Sequence, residues 1–256
     1  MRARGLNYYT ALLLVCAAVS RAETPAAQPP EPSREFESKV REYLLRHPEV
    51  VMEAIENFQA ARKAGQERAT RAAIDSQRAS LLHSLTSPAA GPADDTATVV
   101  AFFDYRCGYC KRVSPSLVKL ASGGAARVIF KELPILGAES VALARASLAA
   151  HRQGMDRYLK FHEALMGSRQ PVLAEAVESL AAAAGLDLAR WRIDKESPEL
   201  TAEIERNGRL AAALGVEATP TFIIGNEKIA GALDEATLTR LVSKPRAQHT
   251  AQAGAR

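Results

Sequence analysis

The spacing of apolar positions changes along the chain, and each change marks an element. Phe36, Val40, Tyr43 and Leu44 recur at three- and four-residue steps, which predicts a helix over Glu35–Arg46. His47-Pro48 ends it, because the residue before a proline is pushed out of the helical region. Val51, Ile55, Phe58, Arg62, Gly65, Ala69, Ala72, Ser76, Ala79 and Leu82 then follow steps averaging about 3.5 residues. They predict one long helix over Glu49–Leu85, with Gly65 as its candidate break. Arg62, Gly65 and Ser76 weaken the middle of this stripe, so the helix must lean on a partner to bury it. A self-association arm is favoured over a helix folded back on its own domain.

The pattern then switches. Thr98–Tyr105 is a continuous β-branched and aromatic run, the mark of a strand buried on both faces. Cys107-Gly108-Tyr109-Cys110 follows at once and opens a helix that reaches Leu120, contains Pro115 and stops at Ser122-Gly123-Gly124. Arg127–Leu133 is a second strand, and the three elements make a right-handed βαβ unit with parallel strands. Residues 138–214 are helical in composition, divided by Gly154, Gly167, Gly185 and Pro198 into four or five helices. Thr221–Ile224 is a short strand, Gly225-Asn226 a turn and Lys228–Ala230 its hairpin partner. A closing helix spans Leu233–Val242 with Asp234 as its cap.

The fold class is therefore α/β, with a helical region in front of it. Residues 1–22 have the basic start, the apolar run Leu12–Val19 and the small residues Ser20 and Ala22 of a signal peptide. The run falls short of the roughly 20 residues that span a bilayer. Residues 23–34 are a Pro- and Ala-rich disordered leader, 35–86 the helical region, 87–96 a linker, 97–244 the main domain and 245–256 a flexible tail.

Removing the leader peptide changes the charge picture. Arg2, Arg4 and Arg21 go with it, so the basic residues fall from 33 to 30 against 29 acids, and the formal charge from +4 to +1. That balance argues against nucleic-acid binding. Cys16 also goes, leaving Cys107 and Cys110 as the cysteines of the mature chain. Two cysteines in one C-x-x-C do not make a disulfide scaffold. Structural zinc needs four ligands, and the five histidines show no ligand spacing, so no metal site is expected. Haem attachment would need a histidine where Lys111 stands. No cofactor is expected.

A redox role explains the placement of the motif. A cysteine between a buried strand and a helix start faces the free N–H groups and positive dipole end of that helix, which favour a thiolate. Cys107 is then the nucleophile that forms a mixed disulfide, and Cys110, one turn on and more buried, resolves it. A structural short-loop disulfide is the bland alternative, and it would stabilise little. Two soft thiolates would also suit Cu(I), which keeps a copper-binding protein open as an alternative of another class, although no methionine or histidine cluster supports it. Thr219-Pro220 opens a strand, where proline is confined to edges and special turns; a cis bond there would leave the Thr219 carbonyl and amide free to pair with an extended substrate.

Three segments together carry a resemblance: Phe102-Phe103-Asp104-Tyr105-Arg106-Cys107-Gly108-Tyr109-Cys110-Lys111, Phe130-Lys131-Glu132-Leu133-Pro134-Ile135-Leu136-Gly137, and Gly215-Val216-Glu217-Ala218-Thr219-Pro220-Thr221-Phe222. Over about Phe36 to Val242 the chain resembles the DsbA family of thioredoxin-fold proteins, in its ScsC (suppressor of copper sensitivity) and disulfide-isomerase branch. The resemblance implies a thioredoxin fold with a large helical insertion, preceded by an N-terminal helical oligomerisation region, with a trimer favoured through 36–85. It implies a cis Thr219-Pro220 bond beside the two sulfurs, with Tyr109, Thr219 and Pro220 touching substrate and Gly108 part of the motif. Cys-Gly-Tyr-Cys with Thr before the proline resembles isomerases more than the dithiol oxidase, which stays as the alternative within the class. Exported disulfide-bearing proteins are the implied substrates, a DsbD-type membrane reductant the implied partner, and the periplasm the implied location.

Two further expectations concern polar residues in a strand. Lys131 and Glu132 alternate, so one of the pair is expected to point to solvent, though a buried carboxylate there would tune the cysteines. Trp191 and His162 read as core residues.

Overall fold

A computed structural model describes residues 33–84, 86–93, 97–168, 172 and 174–243. The expected signal peptide, the leader up to residue 32 and the tail from 245 lie outside the described residues. Among the described residues, no helix is long and apolar enough to cross a membrane. The chain divides into two compact units, one up to Asn57 and one from Phe58.

In the first unit, α1 spans Arg34–Arg46 and α2 begins at Pro48. Ser33 caps α1 by accepting the Phe36 N–H at 3.3 Å, and Glu35 and Glu37 sit in the first turn, where the helix dipole favours them. Proline suits the start of α2, since its missing N–H would have had no partner there. No residue of α1 is buried, and Phe36, Tyr43, Leu45 and Met52 stay largely exposed. An apolar cleft is lined by Phe36, Val40, Leu44, Leu45 and Val51.

The expected break at Gly65 does not occur. The helix α2 runs from Pro48 to Ser76, because one helical glycine costs only about 1 kcal/mol against alanine. The chain turns instead at Gln77 and resumes as α3, Arg78–Leu82. That turn brings Ile74 and Leu81 into the core of the second unit, where both are buried.

The segment 87–96 also departs from the expected linker. Ala89–Ala90 form β1, paired antiparallel with β3 through Ala89↔Ile129 and Ala90↔Val128. Gly91 follows at φ +93°, and a Cβ there would lie 2.4 Å from the Ala126 carbonyl oxygen, so only glycine fits this close approach.

The sheet has the order β1-β3-β2-β4-β5. Strand β2 (Thr98–Phe103) runs parallel to β3 (Arg127–Glu132), with α4 (Gly108–Ser122) between them in sequence. Strand β4 (Thr221–Ile224) runs antiparallel to β2 and pairs with β5 (Glu227–Ala230). Among the described residues, five helices fill the insertion: α5 Ala138–His151, α6 Met155–Gly167, α7 Ala174–Ala183, α8 Leu188–Asp194 and α9 Pro198–Ala213. The last helix, α10 (Glu235–Val242), is capped by Asp234, which accepts the Thr237 N–H at 2.6 Å.

Pleating sorts the strand residues between two cores. Val99, Ala101, Phe103, Val128, Phe130 and Phe222 face the core that holds α4 and the insertion, with Trp191 buried in it. Val100, Phe102, Ile129 and Ile223 face the other core with Ile74, Leu81, Leu210 and Leu214. Both faces of β3 are thus covered. This corrects the expectation for Lys131 and Glu132: neither reaches solvent, with relative exposures of 2% and 1%.

Candidate active site

The motif stands where β2 gives way to α4. Cys107 is the N-cap of α4, with extended backbone, and its sulfur accepts the Cys110 N–H at 3.4 Å. An N-cap normally supplies a side-chain oxygen to these orphan amides. Here sulfur takes the place of oxygen, so the group that would carry negative charge already faces a donor. The turn before it is closed by the Cys107 N–H donating to the Asp104 carbonyl at 3.1 Å.

Across the sheet, β4 brings Thr219 and Pro220 to the same end. The Thr219–Pro220 peptide bond is cis. The Cys107 thiol donates to the Thr219 carbonyl oxygen at 3.2 Å. Cys110 is more enclosed than Cys107, with exposures of 1% and 8%. Burial pushes the Cys110 thiol far up, while hydrogen bonds from the Asp104 amide and the Thr219 side chain draw it down. Both cysteines are free thiols.

Gly108 has open space where a Cβ would stand. Tyr109 is 59% exposed, and the Arg112 guanidinium lies 4.4 Å from its ring centroid. Lys111 reaches Ser168, donating to its carbonyl at 2.7 Å and its hydroxyl at 2.8 Å. Cys107, Tyr109, Cys110, Thr219 and Pro220 therefore collect at one end of the sheet from two separated stretches of sequence.

Several residues that support the motif escaped the sequence reading. The buried Asp104 carboxylate accepts the Arg106 N–H at 2.8 Å, the Leu136 N–H at 3.0 Å and the Ser140 hydroxyl at 2.8 Å. It ties the turn before Cys107 to the start of α5. The signal was present: Asp104 is the one acid in an otherwise apolar strand run. Behind it, the Tyr105 hydroxyl lies 2.5 Å from Ser147 Oγ and 2.8 Å from His162 Nδ1, and His162 Nε2 lies 2.9 Å from Ser114 Oγ. Burial pushes His162 down to about 3, so the ring is neutral.

Lys131 and Glu132 point to opposite faces. Lys131 Nζ donates to the Ser80 carbonyl at 3.2 Å and to Ser87 Oγ at 2.8 Å, and Ser87 donates in turn to Glu203 at 2.6 Å. Glu132 accepts from the Tyr158 hydroxyl at 3.2 Å, and burial pushes its carboxyl up to about 8. The expected tuning of the cysteines by this carboxylate has no direct contact behind it: its described hydrogen-bond partner is Tyr158.

Residues 98–243 match the DSBA-like thioredoxin domain. The chain belongs to that family. Its fold is the DSBA-like thioredoxin fold. Residues 34–64 match the Copper resistance protein ScsC N-terminal domain. Proteus mirabilis ScsC in a transitional conformation is a similar structure, 29% identical, covering 81% of this chain and 94% of its own, with a TM-score of 0.61. A periplasmic thioredoxin-like protein from Salmonella enterica serovar Typhimurium is 33% identical, covering 64% of this chain and 92% of its own, with a TM-score of 0.58. Among curated relatives, the Na(+)/H(+) antiporter NhaA of Herminiimonas arsenicoxydans is 32% identical over 158 residues, which is 61% of this chain. The chain spans 25% of that antiporter's length.

Proposed function

We propose that the chain is a periplasmic thiol–disulfide oxidoreductase that works as an isomerase or reductase on exported proteins. Cys107 is the nucleophile. Its thiolate attacks one sulfur of a substrate disulfide, the new S–S bond forms, the old one breaks, and the departing sulfur leaves with the electron pair. Cys110 then attacks Cys107 and releases the substrate as a dithiol, or the substrate's own thiol attacks and a rearranged disulfide departs. A DsbD-type membrane reductant returns the pair to dithiols.

The observation that carries this reading is the placement of Cys107. Its sulfur caps α4 and touches the Thr219 carbonyl, while Cys110 is withdrawn into the core. An attacking group that is the less enclosed of the two, with a resolving group deeper behind it, is what two-step exchange needs. Tyr109, Thr219 and Pro220 are the substrate contacts, Thr219 with its carbonyl at the Cys107 sulfur, and Gly108 leaves room for the incoming chain. The exposed apolar positions of α1 and α2 favour self-association through 36–85, with a trimer favoured.

A scrambled-disulfide refolding assay, run beside a native-mass measurement, tests both parts. Recovery of the native substrate that disappears with Cys107→Ala is expected, together with a mass of several chains that falls to one when residues 36–57 are deleted, a cut that spares the buried Ile74 and Leu81. Unchanged recovery in Cys107→Ala would defeat the enzymatic reading. Net oxidation of a reduced substrate without rearrangement would mark a dithiol oxidase instead.

A further inference from the structure

The surface beside Cys107 carries uncompensated positive charge. Among the described helices of eight or more residues, α4 stands out in having no acid in its first turn, while α1, α2, α5, α6, α7, α9 and α10 each have at least one. Lys111 and Arg112 stand near the start of α4 instead, against the direction that the helix dipole favours. Arg106 lies on the other side of Cys107 and is paired with Glu139 at 3.1 Å. Lys111 and Arg112 are not paired so: among the described residues no carboxylate bridges to either. Lys111 holds only the neutral oxygens of Ser168. Arg112 is exposed and stacks over the Tyr109 ring, which fixes a guanidinium and an aromatic face side by side.

The nearby acids do not cancel this field. Asp104 is buried and its carboxylate already accepts from Arg106, Leu136 and Ser140. Glu139 is committed to Arg106. Glu217 stands two residues before Thr219, on the loop that faces the motif from β4. The α4 side of the sulfur therefore presents cations, and the Thr219 side an acid.

We propose that Arg112, held over Tyr109, together with Lys111 selects substrate disulfides that carry acidic residues beside the target cysteine. The inference rests on the oxidoreductase reading given above and names the substrate class that this site prefers. The fit is one of charge complementarity. A rim cation acts mainly on the encounter rate and its salt dependence. It attracts a carboxylate near the scissile S–S bond and repels a lysine there.

The test uses the full-length reduced protein and three peptides joined to a reporter thiol by the same disulfide, flanked by Glu, Gln or Lys. The quantity read is the ratio of the second-order rate constants for release of the reporter thiol in a single turnover, Glu peptide over Lys peptide. At low salt a ratio of about three to ten is expected, since exposed charges act weakly, with the Gln peptide between. The ratio should approach one at about 0.5 M salt, where screening is nearly complete within a few ångströms. Arg112→Gln should lower it and Arg112→Glu should invert it; both changes are at an exposed position. Equal rates for the Glu and Lys peptides, or a preference that survives Arg112→Glu, would overturn the proposal while leaving the oxidoreductase reading intact. Failure of the wild-type protein on all three peptides would defeat that reading, and the selectivity with it.

Discussion

The sulfur of Cys107 and the carbonyl oxygen of Thr219 lie 3.2 Å apart, although 112 positions separate them in the chain. The hydroxyl of the same threonine, as a donor, draws the buried Cys110 thiol down against the rise that burial imposes. Thr219→Val keeps the carbonyl and removes this donor. A hydrogen bond of ordinary strength is worth about 1 kcal/mol, or about fivefold in rate. Attack by Cys110 on the mixed disulfide should slow by that factor, while the first attack by Cys107 is unchanged. Acid quenching and intact-mass analysis would follow the lifetime of the mixed disulfide, and an unaltered lifetime would refute the role of the hydroxyl.

Asp104 serves three donors with one carboxylate. In Asp104→Asn one acceptor oxygen is lost and an N–H₂ group is turned towards donors. The loss should be about 3 kcal/mol, since bonds to a charged acceptor are among the stronger ones. For a domain of this size that is a fall of about 5–10 °C in thermal midpoint. A midpoint within about 2 °C of wild type, well short of that fall, would show that the carboxylate does not hold the turn and α5 together.

Two buried groups should shape the pH profile of stability in opposite directions. Glu132 is pushed from 4.5 up to about 8, so folding takes up a proton between these values and stability falls as pH rises across them. His162 is pushed from 6.5 down to about 3, so the unfolded chain binds the extra proton and stability falls as pH drops through that window. Between pH 4.5 and 6.5 the two slopes oppose each other. A plateau is expected there, with declines on both sides. Glu132→Gln should turn the plateau into a rise up to pH 6.5 with a level stretch above it, and His162→Gln should flatten the acid decline even though its midpoint is lower throughout. Denaturant midpoints measured from pH 3 to 8 would show this, and identical slopes in wild type and Glu132→Gln above pH 6.5 would contradict it.

What the sequence revealed and what it concealed follow from range. Strands β2 and β4 were legible because Val99–Phe103 and Thr221–Ile224 are dense apolar runs, and the Cys107–Cys110 motif because its spacing is a local signal. Strand β1 was not, since two alanines between Pro88 and Gly91 carry no period. The turn at Gln77 was hidden for another reason: it is set by Ile74 and Leu81 entering a core built from β2, β3 and α9. Lys131 and Glu132 misled for the same reason. Alternation predicts one solvent face, but both faces of β3 are covered, and the polar partners Ser80, Ser87 and Tyr158 stand far off in sequence. The site was readable as a motif plus Thr219-Pro220; its support by Asp104, Tyr105 and His162 depends on contacts that only folding creates.

The division of labour between the two sulfurs can be tested in one trapping measurement. Reduced Cys110→Ser and Cys107→Ser variants are each mixed with a disulfide-bonded peptide and quenched in acid, and the covalent adduct is weighed and mapped. The expected result is a stable adduct on Cys107 in the Cys110→Ser protein and none in the Cys107→Ser protein. An adduct of equal yield on Cys110 in the Cys107→Ser protein, or none in either, would contradict Cys107 as the attacking thiolate.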